Sequence, residues 1–163
     1  MIPIRVVAIP TGLAGKVRET MRDTHYGFPA YRVAADGDAP CRHCLRMIAA
    51  GEEQLLFTHD AFEGIETFPL PGPVYIHAKD CERYPEDGGF PARLRESPRT
   101  LNAYARGRKL VAQEYAQGEE IDRAVARLFA RTDVDYIHVR STTAGCYTFR
   151  IERPVTSAPE PRA

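Results

Sequence analysis

Two short clusters of soft metal ligands constrain this chain more than any other feature. Cys41-Arg42-His43-Cys44 places two thiols three positions apart, and His77 and Cys81 follow beyond a long gap. Zinc favours thiolate and imidazole donors in a tetrahedron. A short spacing within each pair allows chelation, while the long gap lets the fold bring the pairs together. Cys41, Cys44, His77 and Cys81 are therefore the candidate metal ligands. Zinc is the expected ion, in a structural site, because four protein donors close the coordination sphere. Two features oppose this reading. Leu45 stands where a zinc knuckle normally has glycine, and Pro40 followed by Cys41–Ala50 reads as a helix stopped by Gly51. His43 is an alternative donor. The plainer account is a set of reduced, half-buried cysteines with His77 at a strand end.

The same motif also supports a redox reading. A cysteine in the first turn of a helix feels the positive end of the helix dipole, and Arg42 and Arg46 would favour its thiolate. Cys41 is then the nucleophile and Cys44 the resolving thiol. No proline is placed to face the pair, as a thioredoxin-like site would need.

The chain has 163 residues, 44% of them hydrophobic and 27% charged, which suits one domain with a real core. Basic and acidic residues balance at 22 each. That argues against a dedicated partner in nucleic acid or an anionic membrane, since phosphate neutralisation needs a net positive field. Lys16, Lys79 and Lys109 are the only lysines, and the other basic residues are arginine. The N-terminus reads as a first strand over Met1–Pro10, without the pattern of a signal peptide. No apolar run approaches the ~18 residues needed to span a bilayer. A cytoplasmic protein with reduced thiols is expected.

Further along, a short helix is expected from Thr11 or Gly12 towards Arg22, then strands over Tyr31–Ala35, Glu53–Thr58 and Val74–His77. Residues 59–73 read as a long acidic loop. Pro91–Glu96 reads as a helical turn, and Leu101–Ala105 with Leu110–Tyr115 as a hairpin around Gly107. An amphipathic helix follows Gly118, with Ile121, Ala124, Val125, Leu128 and Phe129 on one face. Strands Asp135–Arg140 and Cys146–Glu152 close a single domain over 1–152, and 153–163 reads as a frayed tail. Strands and helices do not alternate, so the expected class is α+β with a mainly antiparallel sheet, a few short helices and one longer helix in the second half.

The last hairpin carries another constellation. With Ile137, Val139, Tyr147, Phe149 and Ile151 on the core face, alternation puts Tyr136, His138, Arg140, Cys146, Thr148 and Arg150 on the other. Arg42, His138, Arg140 and Cys146 are candidate ligand-binding residues. They form the alternative reading, a thiol-dependent enzyme or small-ligand binder using Cys41 or Cys146. The plainer account is a solvated sheet face, which changes if another layer covers it, because buried arginines require partners. The basic run Arg93, Arg95, Arg99, Arg106, Arg108 and Lys109 reads as a solvated hairpin paired with the acidic 52–66 stretch.

Several stretches together resemble a known family: Pro40-Cys41-Arg42-His43-Cys44-Leu45, Gly51-Glu52 with Leu55-Leu56, Gly72 to His77 with Cys81, Tyr136 to Arg140, Gly145-Cys146-Tyr147, and Arg150 to Arg153. The chain resembles the bacterial domain of unknown function 1203 family over nearly its whole length except the tail. The resemblance implies a small single-domain bacterial protein. It implies no activity, cofactor or catalytic residue.

Overall fold

Alternation along three strands builds the main core. Leu101 and Ala103, Ile137 and Val139, and Phe149 and Ile151 all point to one face and are fully buried there. The strands are β5 (Arg99–Tyr104), β7 (Tyr136–Ser141) and β8 (Tyr147–Glu152). With β1 (Arg5–Val7) and β6 (Leu110–Ala116) they form an antiparallel sheet in the order β1-β8-β7-β5-β6. Helix α2 (Glu120–Ala130) covers that face through Ile121, Ala124, Val125 and Leu128. Each of its larger aliphatic side chains contributes about 1.5–3 kcal/mol on burial. Glu120 and Asp122 in its first turn complement the dipole, and Arg95 reaches across to Asp122 at 2.8 Å.

A second antiparallel sheet has the order β2-β3-β4, from Tyr31–Ala34, Glu53–Asp60 and Pro71–His77. Pro71 and Pro73 are tolerated because β4 is an edge strand, paired with β3 alone. Leu55, Phe57, Val74 and Ile76 pack against Ala14 and Val17 of α1 (Thr11–Thr20), making a second core. The fold is thus α+β with antiparallel sheets, as its sequence pattern predicts. The computed structural model describes residues 2–154, so the expected tail lies outside them except for Arg153 and Pro154. No helix among the described residues is long and apolar enough to cross a membrane.

The main departure from the expected elements is at Cys41–Ala50, which is not a helix. Pro40 bridges Met47, Cys41 N–H donates to Arg46 O, and Leu45 N–H donates to Cys41 O. The chain turns tightly through Leu45, at φ 55°. Burial explains the choice: Leu45 enters the first core, while Cys41, Cys44 and Ile48 enter the second. One helical face cannot serve two cores, whereas a turn between the sheets can. Arg42 ties it in place, its N–H donating to Tyr75 O and its carbonyl accepting from Ile9 N–H.

The expected 59–73 loop is also shorter, since β3 continues to Asp60 and β4 begins at Pro71. Asp60 organises what remains, its carboxylate accepting from the N–H groups of Phe62 and Leu70. The basic run is only partly the solvated surface expected: Arg93, Arg106 and Lys109 are exposed, but among the described residues no ion pair joins the run to residues 52–66. Arg99 is buried, Arg95 pairs with Asp122, and Arg108 donates to the carbonyls of Phe68 and Pro69.

Candidate metal centre

The turn between the sheets delivers Cys41 and Cys44 to the end of β4, where His77 ends the strand and Cys81 lies four residues beyond. One donor atom from each of these four residues lies within 4.8 Å of all the others. Cys41 Sγ is 3.9 Å from Cys81 Sγ, and Cys44 Sγ is 3.5 Å from His77 Nδ1. Metal–sulfur bonds of about 2.3 Å and metal–nitrogen bonds of about 2.0 Å, at tetrahedral angles, require S···S near ~3.8 Å and S···N near ~3.6 Å. The cluster is close enough to bind a metal ion. Cys41 and Cys44 are buried, and all four cysteines are free thiols.

Surrounding groups orient the donors. His77 N–H donates to Cys41 Sγ at 3.4 Å. Arg18 of α1 donates to Cys81 Sγ at 3.4 Å and to His77 O at 3.1 Å, holding the second pair against the helix. His77 turns Nε2 towards Glu52, 3.8 Å from Oε2, an arrangement common around metal-bound histidines. His43, the alternative donor, stands outside the group of four mutually close donors. Its Nδ1 lies 3.2 Å from Cys81 Sγ and its Nε2 lies 3.0 Å from Thr11 Oγ1, so it supports the thiol from outside.

The thiols cannot all ionise unaided. A hydrogen bond with Cys44 holds the Cys41 thiol below its ordinary value, whereas that same bond, with burial, pushes Cys44 up to about 12. Burial raises Cys81, and negative charge on Cys44 raises it further. Three thiolates in so small a volume need a cation among them. The helix-dipole activation expected for Cys41 does not occur, because no helix begins there.

The final hairpin presents a covered face rather than a solvated one. His138 is fully buried, with Phe62, Tyr104, Tyr136 and Tyr147 ring centroids at 4.8, 5.0, 5.1 and 5.0 Å. Tyr147, expected on the core face, joins this cage because the β7–β8 register shifts between Val139 and Arg140. Neither ring nitrogen of His138 has a hydrogen-bond partner, and burial pushes its pKa down to about 2. Arg140 donates to Gly145 O through Nη1, and its Nη2 is buried without a partner.

Of the four candidate ligand-binding residues, Arg42 and Cys146 line one cavity, together with Arg99 and Thr148. His138 and Arg140 do not line it. Sequence reasoning passed over Arg99 as part of a charged run. Its signal was parity: Arg99 is two and four residues before Leu101 and Ala103, which turns it inward.

A model of the family described as "Protein of unknown function (DUF1203)" matches residues 38–153. No curated protein and no solved structure matches the chain. The family match takes in all four candidate metal ligands and both arginines of the cavity.

Proposed function

The chain belongs to the DUF1203 family, which is described only as being of unknown function, and from its own residues we propose that it is a zinc-binding domain in which Cys41, Cys44, His77 and Cys81 hold one structural ion. The observation that carries this reading is the mutual approach of the four donors within 4.8 Å. Three thiols and an imidazole suit zinc over the hard cations, which select oxygen ligands. Four protein donors leave no open coordination position, so the ion's role is structural. Three thiolates and a dication leave one net negative charge, which Arg18 offsets at Cys81. The ion fastens the turn between the sheets to the end of β4 and so ties the two cores together.

Elemental analysis with native mass spectrometry on tag-free protein tests the proposal. The expected result is about one zinc per chain, lost on chelation together with a large fall in thermal midpoint. Cys41→Ser should lower both metal content and stability. A stably folded protein that neither contains nor takes up zinc would refute the proposal.

A further inference from the structure

Arg42 and Arg99 are only 4% and 7% exposed, and neither has a carboxylate partner among the described residues. Arg42 donates from Nε to Tyr147 O at 2.8 Å and from Nη1 to Pro40 O at 2.6 Å. Arg99 donates from Nε to Leu94 O at 2.7 Å and from Nη2 to Ser97 Oγ at 2.8 Å. These are neutral acceptors, and they compensate neither positive charge. Buried guanidiniums elsewhere are paired with anions, because an uncompensated buried charge is strongly unfavourable. Both arginines line one cavity of about 220 Å³ between the 36–42 segment and the β7–β8 hairpin. Thr148 lines it as well. Its side chain is 1% exposed and its Oγ1 has no hydrogen-bond partner.

We infer that this cavity is a binding site for a small oxyanion, a carboxylate or a phosphate monoester, held by Arg42, Arg99 and the Thr148 hydroxyl. A guanidinium offers parallel N–H donors that match the oxygens of either group. The oxyanion supplies the missing negative charge and gives the Thr148 hydroxyl an acceptor. Two features limit the ligand. The volume lies below the ~300–1,000 Å³ of sites for drug-sized molecules. Exposed Asp36 and Asp38 stand among the lining residues and disfavour long polyanions such as nucleic acid. The site is separate from the metal cluster in its ligand chemistry. It shares the same turn, because Arg42 lies between Cys41 and Cys44.

Calorimetric titration with inorganic phosphate, and separately with acetate, tests the inference at low ionic strength on protein of measured zinc content. Matched additions of chloride serve as the control. Saturable one-to-one binding of either anion, and not of chloride, is the expected result. Tighter phosphate binding identifies a phosphorylated ligand, and tighter acetate binding an organic acid. Arg99→Gln should weaken the binding at least tenfold with zinc content unchanged. If that variant fails to fold, Arg99→Lys replaces it, keeping the charge while losing the paired donors. Thr148→Val should weaken binding several-fold yet raise the thermal midpoint of the anion-free protein, because it removes the unpartnered hydroxyl. A merely structural threonine would not separate those two signs. Absence of saturable binding by both anions would overturn the inference, as would binding that survives the Arg99 and Thr148 substitutions unchanged.

Discussion

Replacing His138 with leucine should stabilise the protein by an amount that grows in acid. The native imidazole is pushed down to about 2 by its burial among aromatic rings, from an ordinary value of 6.5. The unfolded chain's imidazole titrates near 6.5, so below that pH the unfolded state takes up a proton that the native state does not. Stability is then drawn away as the pH falls, and the loss continues until the native group itself titrates. For one such histidine the unfolded state gains about 2 kcal/mol at pH 5 and only ~0.1 kcal/mol at pH 7.5. His138→Leu abolishes this difference. At pH 7.5 the variant loses ring contacts but also two unpartnered nitrogens, each a desolvation cost of about 1–3 kcal/mol. Those packing effects are nearly independent of pH, so they cancel when the two pH values are compared. Urea unfolding of both proteins at pH 7.5 and pH 5.0 gives the measurement, with the denaturant slope expected to be unchanged. Protonation of the cysteine cluster in acid acts on both proteins alike and also cancels. The variant's advantage should be about 2 kcal/mol larger at pH 5.0. An equal advantage at both pH values would refute the reasoning, since the native imidazole would then titrate like a solvated one.

Other outcomes follow from the turn between the sheets. Leu45→Gly relieves a left-handed residue, worth about 1–2 kcal/mol, but empties a buried leucine site, where truncation costs about 2–5 kcal/mol. Chemical denaturation should show a net loss of about 2 kcal/mol. Alkylation of the native protein, followed by mass spectrometry, should modify Cys146 and spare Cys41, Cys44 and Cys81. Chelation should then open Cys81 first, because it is part-exposed while Cys41 and Cys44 are buried. Equal rates at all four thiols before chelation would count against a metal-filled cluster.

Period-two and period-3.6 patterns run along single elements, and the hairpin of β5 and β6, the face of α2 and the two strands of the final hairpin could be read from them directly. The candidate metal ligands were legible for a similar reason, since a chelating pair is a local feature. The 41–50 segment was not legible, because its conformation depends on two cores contributed by distant strands, and local propensity favours a helix. A single bulge decided the neighbourhood of His138 by turning Tyr147 onto its face. The sequence by itself determined the fold class, the amphipathic helix and the identity of the cysteine and histidine pairs, because each depends on residues within a few positions of one another. Only the tertiary structure decided that the two pairs meet, that the face of His138 is covered, and that Arg42 and Arg99 share one cavity. Contacts between residues tens of positions apart leave no periodic trace in the chain, and it is the burial they create that turns isolated polar side chains into sites.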